Sequence, residues 1–417
     1  MSGNSDVAAT GVGKNALAAL LAHQGEGSIP EAMRYDALAR YEELPVRGGL
    51  RGGRTWKHDL TNLDLSTIVA FDPAGTELDL ETLSPDARRA GVTIERFSIA
   101  RERHRDAFER AFGHAVDTRD DKFASLALAF ASRGVFIDVP AGVIVDEPLV
   151  VGYEARETAL FPYTLVALGE GARATVVERL AGVDSSPLVC GLVEMVLAAR
   201  AQLTYAVDQR LSMKTRTIIT RRATLGEGAQ VDVSFAELGG MHVVSRFRAL
   251  ASGRGSRASV VALFFSDGNQ HVDIETETVH AAADTRSETI VRSAGTDRGQ
   301  GRYLGNIKIL EGAHGADASL RDDALLLSEH AHIDSVPALE IAANDVKAFH
   351  GATVGAISEE EIFYAQSRGI TRVDAERMIA LGFFEPAVAR FPLGELRDEI
   401  RTALENKIAP KTVLHSV

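Results

Sequence analysis

The spacing of apolar residues divides the 417-residue chain into three regions. In residues 1–133 and again in 356–417, apolar positions recur every three or four residues, as on one face of a helix. Between them, over 134–355, short runs rich in Val, Thr, Ile and Ala alternate with Gly, Asp and Asn, which is typical of short strands joined by turns. We therefore expect a mostly helical N-terminal region, a strand-rich middle and a helical C-terminal region.

Three helices are predicted in the N-terminal region. The first begins near Ser28, which acts as its cap, with Pro30 in its first turn. The second covers about 101–112. The third covers about 122–132 and is apolar on nearly every side, so we expect it to be buried.

The middle region repeats itself. The segment 169–176 resembles 226–233, and related segments begin at Ala198, Gly253 and Ala282. The positions that recur about every 28 residues, a period typical of solenoids, are Ala172, Ala201, Ala229, Arg257 and Thr285. Because each repeat contains strands and turns but no helix, the pattern predicts a parallel β-helix with two or three short strands per turn.

Three further helices are predicted after the β-helix. The first begins at the capping box 358–361 and ends at Gly369. The second covers about 374–381 and is closed by Gly382. The third begins after Pro392.

The last of these helices carries apolar residues at four-residue spacing, with charged residues elsewhere around it. Such a stripe either packs on the β-helix as a cap or docks a partner protein. Two phenylalanines that precede it add aromatic anchors of the kind that protein interfaces use. We assign this surface to partner binding, and its residues are Phe383, Phe384, Leu396, Ile400, Leu404 and Ile408.

The charge of the chain argues against one class of partner. Its formal net charge is −13, whereas a protein that neutralises phosphates needs a positive surface, so we expect no nucleic acid partner. No apolar run reaches the ~18 residues of a transmembrane helix, and the start of the chain lacks the pattern of a signal peptide. We therefore expect no membrane partner.

The single cysteine, Cys190, limits the chemistry further. One thiol forms neither an internal disulfide nor a CxxC pair, which fits a reducing compartment, the cytoplasm. It lies in the apolar run 188–193, where we expect it to be buried and inert. A cluster or soft metal bound here must therefore take ligands from another chain.

Patterns of catalytic residues are weak. There is no Gly-x-Ser-x-Gly elbow. The pairs His330/His332 and His271/Asp273 each share one side of a strand by alternation, either as metal ligands or as exposed side chains. Parallel β-helices often host carbohydrate-active enzymes, so that class stays open as an alternative. The acids concerned are Asp267, Asp273, Glu275, Glu277, Asp322 and Asp323.

A histidine, His350, lies near the end of the predicted β-helix. Strand alternation places Val346, Ala348 and His350 on one face, with Lys347 and Phe349 on the other. A histidine among small residues just before the solenoid ends is either packed in the core or presented at an edge as a ligand. The spacing alone leaves both interpretations open.

The same part of the chain resembles a known family, the SufB/SufD proteins of the SUF iron–sulfur cluster assembly system. Trp56, Lys57 and Leu60 are similar to the family's N-terminal Trp-Lys/Arg segment, and 139–145 with Pro148 is similar to the entry of its β-helix. The runs that resemble its C-terminal signature are 339–341, 344–347, 350–355, 362–364 and 367–370. The resemblance covers most of the chain.

This resemblance implies a right-handed parallel β-helix between helical terminal regions, and a non-catalytic scaffold. It implies assembly with the B-type paralogue, SufB, and with two copies of the SufC ATPase, which we expect to dock on the C-terminal helices. A homodimer is a further assembly open to the isolated chain. The resemblance also implies a transient iron–sulfur cluster or iron in the assembled complex, and none held stably by the chain alone.

Within the family, the chain looks like the D type, SufD. The B type has His-Glu-Ala where this chain has His-Gly-Ala at 350–352, and Asn-Cys-Asp where it has Arg-Asp-Asp at 321–323. His350 then matches the D subunit's histidine at the subunit junction, which implies a ligand of iron or of a nascent cluster. Many D subunits have cysteine two residues earlier, where this chain has Ala348. A divergent B-type subunit is the alternative within the family.

Overall fold

The structure, a computed structural model, describes residues 9–24, 29–45, 63–71, 78–80, 83–116, 121–156, 158–184 and 186–408. Ser28, Trp56, Lys57 and Leu60, which carry a predicted helix cap and part of the family resemblance, lie outside the described residues. The described helices are α1 Lys14–Gln24, α2 Glu31–Glu43, α3 Pro85–Arg89, α4 Phe97–Arg103, α5 Arg105–Ala111, α6 Lys122–Phe130, α7 Glu359–Ser367, α8 Arg372–Val388 and α9 Gly394–Ile408.

The strands of the described residues begin with four short ones and continue as a long series from Arg133 to Ala356. They are β1 Ala9–Thr10, β2 Val69–Phe71, β3 Leu78–Leu80, β4 Thr93–Arg96, β5 Arg133–Val139, β6 Leu149–Ala155, β7 Pro162–Leu168, β8 Arg173–Gly182, β9 Leu188–Leu197, β10 Gln202–Arg210, β11 Arg216–Leu225, β12 Gln230–Glu237, β13 His242–Ala251, β14 Arg257–Ser266, β15 His271–His280, β16 Arg286–Gly295, β17 Gln300–Ile309, β18 Asp317–Leu326, β19 His332–Ile341 and β20 Lys347–Ala356.

Consecutive strands alternate between two nine-stranded sheets. The even-numbered strands β6 to β20 form the even sheet, bordered by β3, and the odd-numbered strands β5 to β19 form the odd sheet, bordered by β4. Within each series neighbouring strands are parallel, whereas β3 and β4 pair antiparallel. Each turn of the chain therefore adds one strand to each sheet, which confirms the predicted parallel β-helix with two strands per turn.

Small buried residues stack from turn to turn inside this solenoid. Ala172, Ala201 and Ala229 precede successive strands of the even sheet in register, and all three are buried. The next matched position is Ser256, also buried, and not Arg257 as the repeat spacing predicted. Arg257 lies one residue later and is exposed, because an unpaired guanidinium is too costly to desolvate inside the solenoid.

The N-terminal helices cover the outer face of the odd sheet. Helix α6 is buried along almost its whole length, as predicted. The helix predicted at 101–112 is instead two helices, α4 and α5, which meet at His104. The break lets Phe97 and Phe108 pack edge to face, with ring centroids 5.0 Å apart, and Phe97 also packs against Tyr163 of β7.

Two carboxylates tie this region to the odd sheet. Asp121 caps α6 by accepting hydrogen bonds from its first amides at 3.0 and 3.1 Å, and pairs with Arg246 of β13 at 3.2 Å. Glu194 of β9 is fully buried and accepts hydrogen bonds from three backbone amides of the chain after α5. Because both carboxylates bind backbone donors, they fix the main chain of the N-terminal region on the solenoid.

The C-terminal helices follow the predicted order, with one difference in length. Helix α7 ends before Gly369, whose positive φ of 86° is the expected left-handed cap. Helix α8 does not stop at Gly382 but continues through Pro386 to Val388, since its second half buries Phe384 against the even sheet. In the described part of the chain, no helix is long and apolar enough to cross a membrane.

The apolar stripe of α9 faces the outer side of the even sheet and not the solvent. Leu396, Ile400 and Leu404 are at most 1% exposed, and they pack on outward residues of the sheet such as Phe265. The six residues assigned to partner binding all belong to or pack against this cluster: Phe383, Phe384, Leu396, Ile400, Leu404 and Ile408. This is the capping arrangement, and the buried members present no surface to a partner in this structure.

Ion pairs hold α9 against the even sheet at two points along the helix. Arg179 of β8 donates to Glu399 at 2.7 Å. Lys407, near the end of α9, pairs with Asp267 at 2.6 Å, and both side chains are nearly buried. The helix is therefore fixed by charge as well as by its apolar stripe.

Candidate functional site

The last turn of the solenoid, formed by β19 and β20 and called here the terminal turn, is uncovered. Strand β19 pairs with β17 and β20 pairs with β18, and no described strand pairs with their other edges. Large apolar side chains are exposed here, with Phe349 at 62% and Ile341 at 47%. An edge with unpaired backbone groups and exposed apolar side chains is suited to pairing with another protein.

His350 lies on the inner face of the terminal turn. Its neighbour in the sheet is Leu320 of β18, which belongs to the solenoid core, and residues in register in a parallel sheet share a face. Ala348 packs against the same core. His350 itself is exposed, because no further turn stacks on it. This histidine is therefore exposed at the solenoid end and is not packed in the core.

A buried carboxylate, Asp322, lies one strand below the terminal turn. It follows Leu320 on the inner face of β18 and is fully buried. Neither of its carboxylate oxygens accepts a hydrogen bond of normal geometry from the described residues. Burial raises the pKa of Asp322 to about 7, and the Asp323 carboxylate raises it further, whereas the Ser335 hydroxyl and the Arg292 guanidinium lower it.

In the sequence, Asp322 is only one of several acids considered for an enzyme. Nothing in its local pattern indicates burial, because Asp323 beside it is equally acidic. Asp323 points outward, where Arg292 and Arg321 donate to it at 2.9 and 3.0 Å. The two acids therefore differ only in the face of β18 on which the register of the solenoid places them.

The other acids considered for an enzyme are paired with cations. Arg302 donates to Asp273 at 2.8 Å, and arginines of β13 donate to Glu275 and Glu277 at 3.1 and 2.8 Å. Asp267 is held by the lysine of α9. These residues form ladders of ion pairs between turns, and no two of them form the unpaired dyad that glycoside hydrolysis needs.

The histidine pairs do not form a metal site. His330 lies in the turn before β19, and only His332 is in the strand, where its Nε2 is 2.8 Å from Asp334. The ring of His271 packs edge-on against that of His242, with centroids 5.1 Å apart. Across the described ranges, no three His, Cys, Asp or Glu side chains form a group that could hold a metal ion.

Cys190 is also unsuited to ligation, as expected. It is fully buried between β9 and α6, and its Sγ donates to the Phe123 carbonyl at 3.4 Å. Burial raises the pKa of the Cys190 thiol, which keeps it protonated and unreactive. The chain therefore has no accessible thiol.

A second exposed apolar surface lies on the C-terminal helices. It comprises side chains of α7 and α8 that do not face the solenoid, and we call it the α7–α8 surface. Phe363 is 72% exposed. Its other members are Tyr364, Val373 and Met378. Exposed aromatic and methionine side chains on adjacent helices are common at protein interfaces.

Comparisons with known proteins agree on one family. Residues 151–383, more than half of the chain, match the family model described as "SUF system FeS cluster assembly, SufBD core domain". A protein of Staphylococcus saprophyticus, named as an iron–sulfur cluster assembly SufBD family protein, is 26% identical over 322 residues, which cover 76% of this chain and 69% of the relative. Relatives from Staphylococcus epidermidis and Staphylococcus aureus carry the same family name and match to the same extent.

Proposed function

Because this chain belongs to the SufBD family of the SUF iron–sulfur cluster assembly system, we propose that it is a non-catalytic scaffold subunit of that system. The observation that carries the proposal is the open end of the solenoid, where His350 is presented beside an uncovered edge. One imidazole cannot hold a cluster, so further ligands must come from a second chain that covers this end. Cluster binding then depends on the assembled complex, and the chain alone holds none stably.

Within the family we assign the chain to the D type. A sulfur-accepting subunit needs an accessible thiolate, and the single thiol here is buried far from the terminal turn. The chain has no cysteine in the segment 321–323, about where the B type is expected to have one. Sulfur ligands must therefore be supplied by the partner.

The partner that we propose for the terminal turn is the SufB-type paralogue, in the cytoplasm. The uncovered edge of β20 offers backbone groups for strand pairing, and Phe349 offers an apolar contact. His350 then lies at the junction of the two solenoids, where it contributes to iron acquisition and nascent cluster binding. The same edges would support a homodimer when the partner is missing.

His350→Ala is expected to abolish complementation of a strain that lacks its D-type subunit. Because the ring is exposed, its removal leaves no cavity, so the melting temperature should change by less than about 2 °C. Co-purification with the SufB-type partner should be retained. Complementation, melting temperature and co-purification are measured on the same variant.

His332→Ala is the matched control, since His332 is an exposed histidine of the same terminal turn. We expect it to complement fully. Full complementation by His350→Ala would contradict the proposed role of His350. If His350→Ala lost both co-purification with the partner and complementation, His350 would be assigned to subunit contact and not to iron.

For the SufC-type ATPase we propose the α7–α8 surface as the docking site. The stripe of α9 is covered by the even sheet, so the apolar anchors left for a partner on these helices are the exposed ones. An ATPase docked there contacts helices that pack on the solenoid. A movement of the ATPase is then transmitted by these helices to the solenoid and its terminal turn.

Phe363→Asp combined with Met378→Asp is expected to weaken ATPase binding by at least about tenfold, because a charge replaces each apolar anchor. Binding is measured by titration calorimetry with the purified ATPase. Val354→Asp serves as control, because Val354 is also an exposed apolar residue but lies on β20. Unchanged affinity in the double variant would place the ATPase elsewhere.

A further inference from the structure

We propose that Asp322 and His350 form one half of a mononuclear site for divalent iron at the open end of the solenoid, with the remaining ligands supplied by the partner chain. The inference rests on the proposed function, because the SUF context makes iron the metal that reaches this end. It adds a second protein ligand and the chemical form of the cargo, a single Fe²⁺ ion.

The two side chains lie on the same inner face of neighbouring strands. Asp322 belongs to β18 and His350 to β20, and the register pairs Leu320 with His350, so Asp322 and His350 are diagonal neighbours. With strands about 4.8 Å apart and about 3.3 Å per residue, their Cβ atoms are about 8 Å apart. An imidazole, a carboxylate and two metal–ligand bonds of about 2.1 Å are long enough to span that distance.

Little separates the carboxylate from the open end. The residue stacked on Asp322 in the terminal turn is Ala352, whose methyl group is exposed. Across the interior on β19 lies Ser335, whose hydroxyl interacts with the Asp322 carboxylate without forming a hydrogen bond of normal geometry. The carboxylate thus faces the end of the solenoid interior, beside His350 and beneath a single methyl group.

A purely structural role does not account for an acid at this position. The neighbours of Asp322 in the stack are Val291 and Ala352, so apolar side chains fit there. Glu178, another buried acid of the solenoid interior, accepts hydrogen bonds from Thr164 and Tyr205 at 2.7 Å. The Ser335 hydroxyl lies close enough to Asp322 to lower its pKa, but in the described structure neither carboxylate oxygen accepts a hydrogen bond of normal geometry. A buried carboxylate left in this way is destabilising, and a bound cation would relieve that cost.

The donor set indicates which metal species fits. A carboxylate oxygen is a hard ligand and an imidazole a borderline one, a combination suited to a divalent first-row ion such as Fe²⁺. Iron–sulfur clusters are held mainly by thiolates, which this end lacks. This half-site therefore suits an iron ion before sulfide arrives, and cluster formation follows when thiolate ligands are brought by the partner.

The test uses Mn²⁺, a redox-stable paramagnetic probe with the same preference for oxygen and nitrogen ligands. The full chain is labelled in its histidine rings, and Mn²⁺ is titrated while the nuclear magnetic resonance signals are followed. We expect the His350 signal, identified by its loss in His350→Gln, to broaden at lower Mn²⁺ than the signals of the other histidines. Asp322→Asn, which keeps the shape but removes the charge, should raise the required Mn²⁺ concentration at least about tenfold.

Asp323→Asn is the matched control, because Asp323 is adjacent in sequence but points outward. It should leave the titration unchanged. If Asp322→Asn does not fold, Asp322→Val takes its place, since Val291 already occupies the next position of the same stack. Absence of selective broadening in the unmodified chain, or equal broadening in the Asp322 variant, would overturn the proposal.

The two proposals can fail separately. Loss of complementation in His350→Ala, together with unchanged Mn²⁺ binding in Asp322→Asn, would refute only the two-residue site. Selective Mn²⁺ binding that needs both residues, together with full complementation by His350→Ala, would support the site and refute its role in cluster assembly.

Discussion

Leu404→Asp is expected to detach α9 from the even sheet and to destabilise the packed C-terminal region by at least about 4 kcal/mol. The side chain is 1% exposed and lies among Leu396, Ile400 and Phe265. The substitution removes a buried leucine and places a carboxylate in an apolar cluster, where the lysine near the Phe265 ring, Lys407, is already paired with Asp267. Either change alone is costly, so the helix must leave the sheet or the carboxyl group must stay protonated.

Urea denaturation and limited proteolysis of α9 measure this effect. Asn406→Asp is the control, because it adds the same charge on the exposed side of the same helix, and it should cost only a few tenths of a kcal/mol. If Leu404→Asp instead kept full stability and lost only ATPase affinity, the α9 stripe would be a docking surface after all, and the packing on the even sheet would not be the state in solution.

Glu237→Leu is expected to cost about 3–5 kcal/mol, because it leaves a guanidinium without its counter-charge inside the solenoid. Arg221 and Glu237 are both fully buried, with their nearest nitrogen and oxygen 3.2 Å apart. Arg221 also donates to the Ser245 hydroxyl at 2.6 Å, whereas two of its nitrogens have no partner in the described structure. The hydroxyl alone cannot compensate a buried positive charge.

The double variant Arg221→Met/Glu237→Leu provides the decisive comparison. Two apolar side chains of similar volume need no desolvation of charge, so the double variant should recover most of the stability lost by Glu237→Leu. The free energies of unfolding of the two single variants and the double variant complete the cycle. A double variant as unstable as the sum of the two single ones would show that the pair does not act as a unit.

The repeat spacing and the absence of helical patterns were sufficient to predict a parallel β-helix, because each turn of a solenoid must solve the same packing problem with similar residues. The same reasoning misplaced one of the stacked interior positions. A turn can be a residue shorter without losing its interior position, as the exchange of Arg257 for Ser256 shows. The end of α7 was predictable because its cap at Gly369 is a local feature. The predicted end of α8 at Gly382 was wrong, because burial against the even sheet extends that helix to Val388.

Strand alternation placed His350 on one face with Ala348, and helical periodicity revealed the apolar stripe of α9, because both are local properties of the chain. The sequence could not decide which partner covers each face. The stripe is covered by the even sheet, whereas no described residue covers His350, because this depends on where the solenoid ends and where the helices fold back. The position of the Asp322 carboxylate was likewise decided only by the tertiary structure. Two adjacent aspartates are equivalent in sequence, and only the register of β18 under β20 turns one of them to the inner face near the histidine and the other to its arginines.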